Sequence, residues 1–239
     1  MANGGRAHGV KPRRGGARLR GTARLRPSTL FVDIGGVLLS DGWGWRQRQR
    51  AIAEFGLDAK DFGERHLQAW NSYQLGKCSL DEYFERALFY RPQKVSRAAL
   101  KKFMFAQSTP CSDMLALIKK IKTQHGLKVV VVSNEGRELN AHRIHRFQLD
   151  RLADIFVSSC YVQMLKPDPE IFRLALDLSQ ASPSKVLYIE NTAMFVEVAR
   201  GLGIEALWHK SFTETRACLA ERGLGVDDEE RARAETGRA

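Results

Sequence analysis

Three stretches of this chain are nearly unbroken runs of large apolar residues: Leu30–Asp33, Lys128–Ser133 and Val186–Glu190. A strand with one wet face alternates apolar and polar side chains. A run without alternation needs cover on both faces, as in a parallel sheet sandwiched between helices. Two further runs, Asp154–Ser159 and Ile204–Trp208, bring the expected strands to five. Helical stripes separate the later ones. Met114, Leu117, Ile118 and Ile121 share one face, as do Ile171, Phe172, Ala175 and Leu176, the latter opened by Asp168 as N-cap and Pro169 in the first turn. Strand and helix in alternation predict an α/β fold.

The gap between the first two strands breaks this rhythm. Residues 41–110 contain no convincing strand but four helical segments, near Trp45–Phe55, Ala59–Leu75, Ser79 onward and Arg97–Phe105. The third begins with a capping box, Ser79 with Glu82, and carries Leu80, Tyr83, Phe84, Ala87 and Leu88 on one face. The expected organisation is a core of 29–40 and 111–220 with an all-helical insert at 41–110.

The composition, 44% hydrophobic and 27% charged, is that of a globular protein. No apolar run approaches the roughly 18 residues needed to cross a bilayer, so no membrane partner is expected. Cys78, Cys111, Cys160 and Cys218 are widely spaced. That argues against a disulfide framework or zinc site and for a reducing, cytoplasmic setting. The net charge of +11 suggests nucleic acid until it is located. Arg6, Lys11, Arg13, Arg14, Arg18, Arg20, Arg24 and Arg26 all fall in residues 1–28, which hold no acid. The charge thus belongs to a Gly/Arg-rich arm expected to be disordered. It reads as an inert extension, an electrostatic arm for nucleic acid or anionic surfaces, or a targeting peptide. A second solvated, disordered end is expected over 221–239. Oligomeric state is not legible.

In an open parallel sheet, ligands bind beyond the carboxyl ends of the strands. The first run ends in Asp33-Ile34-Gly35-Gly36, the second in Ser133-Asn134-Glu135-Gly136 and the fourth in Glu190-Asn191, while Lys166-Pro167-Asp168-Pro169 follows the third. A nucleophilic carboxylate, a hydroxyl, an ammonium and a second acid at successive tips are the components of phosphoryl transfer through an aspartyl intermediate.

These four motifs, in order at Asp33, Ser133, Lys166 and Glu190, resemble those of the haloacid dehalogenase-like hydrolases over roughly residues 29–220. The resemblance implies a Rossmann-like parallel-sheet core with an inserted helical cap of the family's first subclass, and most simply a Mg²⁺-dependent phosphatase of a small phosphorylated metabolite. It implies that Asp33 attacks phosphorus, that Lys166 neutralises charge and orients it, and that Ser133 and Asn134 with nearby backbone N–H groups hold phosphoryl oxygens. It also implies that Asp33, the Gly35 carbonyl and Glu190 bind Mg²⁺, with Asn191 as a further oxygen donor.

Two positions depart from the family pattern. Gly35 stands where most family phosphatases have an acid/base Asp, which predicts a slow enzyme or one limited to good leaving groups. Glu190-Asn191 stands where two aspartates are usual. Glu135 is either a replacement acid/base or a solvated loop residue. His66 and Trp70, four apart on one helix face, are either substrate contacts or core. Trp43 and Trp45 read as hinge packing ahead of a substrate platform, and His142 and His145, with Arg143 and Arg146, as a polar surface helix ahead of a catalytic one. A dehalogenase would have an aromatic residue in place of Gly35. A phosphonate hydrolase would need a cap lysine, for which Lys60 and Lys77 are candidates. The remaining alternative is a catalytically degenerate binding protein.

Overall fold

The computed structural model describes Met1 and residues 26–226. Most of the basic arm and the end of the tail, residues 2–25 and 227–239, lie outside the described residues. Five parallel strands form one sheet: β1 Thr29–Val32, β2 Lys128–Ser133, β3 Ile155–Ser158, β4 Val186–Glu190 and β5 Glu205–Trp208, in the order β3-β2-β1-β4-β5. The register sets Val32 beside Val131 on one side and Ile189 on the other. The tip of the central strand therefore lies level with the tips of β2 and β4.

The continuous apolar runs have the expected cause. Leu30, Val32, Val129, Val131, Leu187 and Ile189 face one layer, where helix α5 (Ser112–His125) contributes Met114, Leu117, Ile118 and Ile121. Phe31, Val130, Val132, Val157 and Tyr188 face the other. There α8 (Pro169–Ser179) contributes Ile171, Phe172 and Ala175, and α9 (Ala193–Gly201) contributes Val196 and Ala199. Each fully buried Val, Leu or Ile is worth roughly 1.5–3 kcal/mol, so both faces favour the same strand register.

Residues 45–106 form α1 (Trp45–Phe55), α2 (Ala59–Gln74), α3 (Leu80–Phe84), a wide helical turn over Glu85–Phe89 and α4 (Arg97–Ala106), with an apolar cluster of their own. The capping box is present: the Ser79 backbone N–H donates to Glu82 Oε2 at 2.7 Å, and the Glu82 N–H to Ser79 Oγ at 3.2 Å. This helical layer contacts the sheet's carboxyl side. Gln74 Nε2 donates to the Asn134 carbonyl at 3.2 Å, and the Leu139 N–H, on α6 (Arg137–Phe147), donates to Tyr73 Oη at 3.3 Å.

One boundary is corrected. The chain expected to be solvated from 221 continues as a helical turn, Ala220–Leu224, after α10 (Phe212–Leu219). Leu224 is buried in the core layer with α5, and Arg222 Nε donates to Glu205 Oε1 at 2.8 Å. Leu224 lies five residues after Leu219, a spacing that puts the two on different faces of an ordinary α-helix, so no apolar stripe marks this turn among its charged residues.

Candidate active site

A cavity of about 460 Å³ opens at the carboxyl end of the sheet, between the strand tips and the 45–106 helices. Asp33, Gly35, Ser133, Asn134, Glu135, Lys166 and Asn191 line it from the sheet side; Trp43, Trp45, Arg48, His66, Trp70 and Gln74 line it from the helical side.

Asp33 follows β1 directly, its N–H donating to the Ile189 carbonyl at 3.1 Å. Its side chain is buried against Lys166, whose Nζ donates to Asp33 Oδ1 at 2.9 Å, to Glu190 Oε2 at 2.6 Å and to Tyr188 Oη at 3.1 Å. Burial alone would push the Lys166 ammonium down, but Asp33 and Glu190 more than reverse this, so its pKa is raised and the charge persists. Burial raises the Glu190 carboxyl and the Asp33 charge adds to it, with Lys166 and Tyr188 opposing. Burial, followed by the two carboxylates, holds the Tyr188 hydroxyl far above its ordinary pKa, so it remains a donor.

Glu190 stands behind Lys166, off the cavity wall. It is fully buried. Lys166 and the Tyr188 hydroxyl occupy Oε2, and the Thr192 N–H donates to Oε1 at 2.9 Å. With both oxygens engaged in this way, Glu190 backs Lys166. Asp33, Gly35, Asp41 and Asn191 are among the oxygen donors on the cavity wall, and among the described residues no three His, Cys, Asp or Glu side chains gather to hold a metal. Mg²⁺ commonly takes one or two carboxylates and completes its shell with water and substrate oxygens, so this donor set fits it in kind.

The Asn134 side chain has protein partners. Its Nδ2 donates to the Lys166 carbonyl at 2.8 Å and its Oδ1 accepts from the Lys166 N–H at 2.8 Å. That side chain ties the β2 tip to the lysine loop, and Asn134 lines the cavity beside Ser133. Glu135 is neither solvated nor free: it is buried and ion-paired with Arg143. Burial raises its pKa, which Arg143 partly offsets. Arg143, expected on a polar surface, is 2% exposed and also donates to the Ser40 carbonyl.

His66 is buried, its Nδ1 2.8 Å from Tyr83 Oη, which accepts a hydrogen bond from Trp43 Nε1 at 2.9 Å. Trp donates only, so the Tyr83 hydroxyl hydrogen is assigned to Nδ1 and the imidazole is neutral. Burial, then the Arg48 charge, lowers the His66 pKa to about 3. Trp43 is buried hinge packing, whereas Trp45 is exposed at the cavity rim. Lys60 and Lys77, the cap lysines a phosphonate hydrolase would use, are exposed and do not line the cavity.

Sequence reasoning missed Tyr188, Arg143 and Arg48. Tyr188 could have been found, because residues two apart on a strand share a face and Glu190 follows it by two. Arg143 carries no local signal, since its partners are 8 and 103 positions away.

The profile of the haloacid dehalogenase-like hydrolases matches residues 27–203. The chain belongs to that family. Bifunctional epoxide hydrolase 2 of Sus scrofa is 30% identical over 105 residues, 42% of this chain and 19% of that protein. The phosphorylated carbohydrates phosphatase of Thermotoga maritima is 30% identical over 82 residues, 34% of this chain and 38% of that protein. The matched region is thus well under half the length of either relative. A HAD family enzyme of Bacteroides thetaiotaomicron superposes with a TM-score of 0.67 at 18% identity, covering 77% of this chain and 94% of that one, which shows a shared fold. In this haloacid dehalogenase-like hydrolase, no described helix is long and apolar enough to cross a membrane.

Proposed function

We propose that this hydrolase is a phosphatase that cleaves a small phosphorylated metabolite through an aspartyl phosphate on Asp33. The observation that carries the reading is the contact of Lys166 Nζ with Asp33 Oδ1 at 2.9 Å, on the wall of a cavity shared with Ser133. Lys166 fixes one carboxylate oxygen and leaves the other for in-line attack on phosphorus. As the leaving oxygen departs, the ammonium opposes the charge that builds on the phosphoryl oxygens, in a site where water does little screening. Ser133 donates its hydroxyl to one of those oxygens. Glu190 and Tyr188 hold the lysine in place.

Asp33, the Gly35 carbonyl and the Asn191 amide oxygen would hold Mg²⁺, which supplies further neutralisation of phosphoryl charge when bound. Arg48, Trp70 and neutral His66 on the helical wall are positioned to read the leaving group. The resemblance to a phosphatase of phosphorylated carbohydrates supports this substrate class. The 45–106 helices would act as the cap, and four unpaired cysteines favour a reducing compartment such as the cytoplasm.

The test is a screen of phosphorylated metabolites with Mg²⁺, run beside Asp33→Asn. The expected outcome is turnover of at least one sugar phosphate, trapping of an acyl phosphate on Asp33, and loss of both in the variant. Phosphate-ester binding without turnover or trapping would establish a binding protein instead.

A further inference from the structure

Gly35 lies two residues after the nucleophile, and nothing in its backbone demands glycine. Its φ is outside the left-handed region, and a Cβ there would meet only ordinary contacts. Gly36 differs: its φ is +74°, and a Cβ would run into the Asn191 amide. The missing side chain at 35 is therefore a matter of chemistry rather than conformation. The atom nearest to that empty Cβ position is Asp41 Oδ1, at 3.5 Å, ahead of Asp33 Oδ2 at 3.9 Å and Arg143 Nη1 at 4.0 Å.

We infer that Asp41 supplies from the hinge the acid/base carboxylate that Gly35 lacks, an inference that rests on the phosphatase reading above. Asp41 lines the cavity with Asp33 and is exposed; among the described residues no hydrogen bond or ion pair engages its side chain. Its backbone is set by the residue before it. The Ser40 N–H donates to the Thr109 carbonyl at 2.8 Å, and Ser40 Oγ donates to the Gln107 carbonyl at 3.0 Å. Ser40 Oγ also accepts from the Thr109 N–H at 2.9 Å, and the Ser40 carbonyl accepts from Arg143. The carboxylate is thus loose while its anchor is held on three sides.

The other carboxyl groups near the cavity are engaged. Glu135 is buried on Arg143, and Glu190 is closed behind Lys166. His66 is neutral on the opposite wall, with Nδ1 committed to Tyr83. A glycine at 35 leaves the room that Asp41 enters.

In the first half-reaction an Asp33 oxygen bonds to phosphorus and the bond from phosphorus to the leaving oxygen breaks. The electron pair stays on that oxygen, which takes the proton of the Asp41 carboxyl group. In the second, water attacks the aspartyl phosphate and gives a proton to the Asp41 carboxylate. The bond from phosphorus to Asp33 breaks, its pair returns to Asp33, and inorganic phosphate is released with Asp41 protonated again.

The experiment compares Asp41→Asn with the parent full-length chain on 4-nitrophenyl phosphate, whose leaving group needs no proton, and on an alkyl phosphate, whose leaving group does. Phosphoenzyme is read by acid quench. Loss of a general acid costs about 10²–10⁴-fold. That loss is expected in kcat/KM for the alkyl phosphate, while the nitrophenolate burst stays within about tenfold of the parent. Phosphoenzyme should accumulate in the variant, because its hydrolysis has lost the base. Gly35→Asp in the Asp41→Asn background should recover activity on the alkyl phosphate, which a purely structural role for Asp41 would not allow. Equal losses on both substrates, or no loss and no accumulation, would overturn the assignment while leaving the aspartyl mechanism standing. Absence of phosphoenzyme in the parent would overturn both.

Discussion

Lys166 is the residue on which the candidate site turns, because it is one cation between two buried carboxylates. Removing one partner of a buried ion pair costs roughly 3–5 kcal/mol, since the charge left behind has no compensation. Lys166→Met should therefore destabilise the fold by about that much in urea titration, as well as abolish turnover. The deficit should shrink as pH falls. Without the ammonium, nothing from Lys166 opposes the burial and the Asp33 charge that raise the Glu190 carboxyl, so it holds a proton more tightly folded than unfolded and acid favours the folded state. His66 behaves in the opposite sense. Its pKa is lowered to about 3 when folded, so below about pH 6.5 the unfolded chain takes up a proton that the folded chain refuses. Stability should fall with decreasing pH by up to about 1.4 kcal/mol per unit through that window. His66→Gln should flatten this slope in melts from pH 7 to pH 5; an unchanged slope would place the titration elsewhere. The residues that touch the cavity from strand tips were legible, since a tip is set by where an apolar run ends. What Asn134, Glu135 and Glu190 do there was not. Their roles depend on partners such as Lys166 and Arg143 that only the fold brings near.

The elements were legible to within a few residues wherever periodicity was strong. The strands and the helices of the insert were read from apolar runs, facial stripes and caps, and the capping box at Ser79 and the Asp168 cap appear as bonds. The wide turn over Glu85–Phe89 was not legible, because the stripe that includes Ala87 and Leu88 is compatible with a simple helix. Contacts between elements were also beyond reach. Gly136 precedes α6, and a Cβ there would strike the ring of Tyr73, which is fully buried on α2. Tyr73 in turn accepts from the Leu139 N–H, so the glycine permits the close approach of the helical layer to the sheet. Overpacking of this kind costs about 1–3 kcal/mol. Gly136→Ala should lower the melting temperature and reduce activity, because the second cavity wall shifts against the first. Gly126→Ala, where a Cβ meets nothing within 4 Å but φ is +62°, separates backbone strain from collision: it should lower stability with little change in KM.

At the scale of the whole chain, charge and stability reside in different segments. Residues 2–25 carry Arg6, Lys11, Arg13, Arg14, Arg18, Arg20 and Arg24 and hardly any large apolar residue, so they have little surface to bury. Among the described residues that follow, the chain is tied to the sheet. Pro27 is buried, the Ser28 N–H donates to the Lys185 carbonyl at 2.9 Å, and the Ser28 carbonyl accepts from the Lys128 N–H at 3.1 Å. Those bonds extend the β1 ladder by one residue toward both β4 and β2. Removal of residues 2–25 should thus leave melting and hydrolysis unchanged while lowering the formal net charge from +11 to +4. Removal through Ser28 should cost stability, because the central strand loses its lead-in and Lys128 and Lys185 lose backbone partners. If the full chain binds DNA or RNA, the affinity should fall steeply with salt, by a slope of about 0.9 per phosphate contacted, and should vanish with residues 2–25. The two truncations, melted side by side and titrated with a duplex at two salt concentrations, test this division. A drop in melting temperature on removing residues 2–25 alone would show that the arm takes part in the fold, and salt-dependent binding that survives the truncation would put the nucleic-acid surface on the folded core.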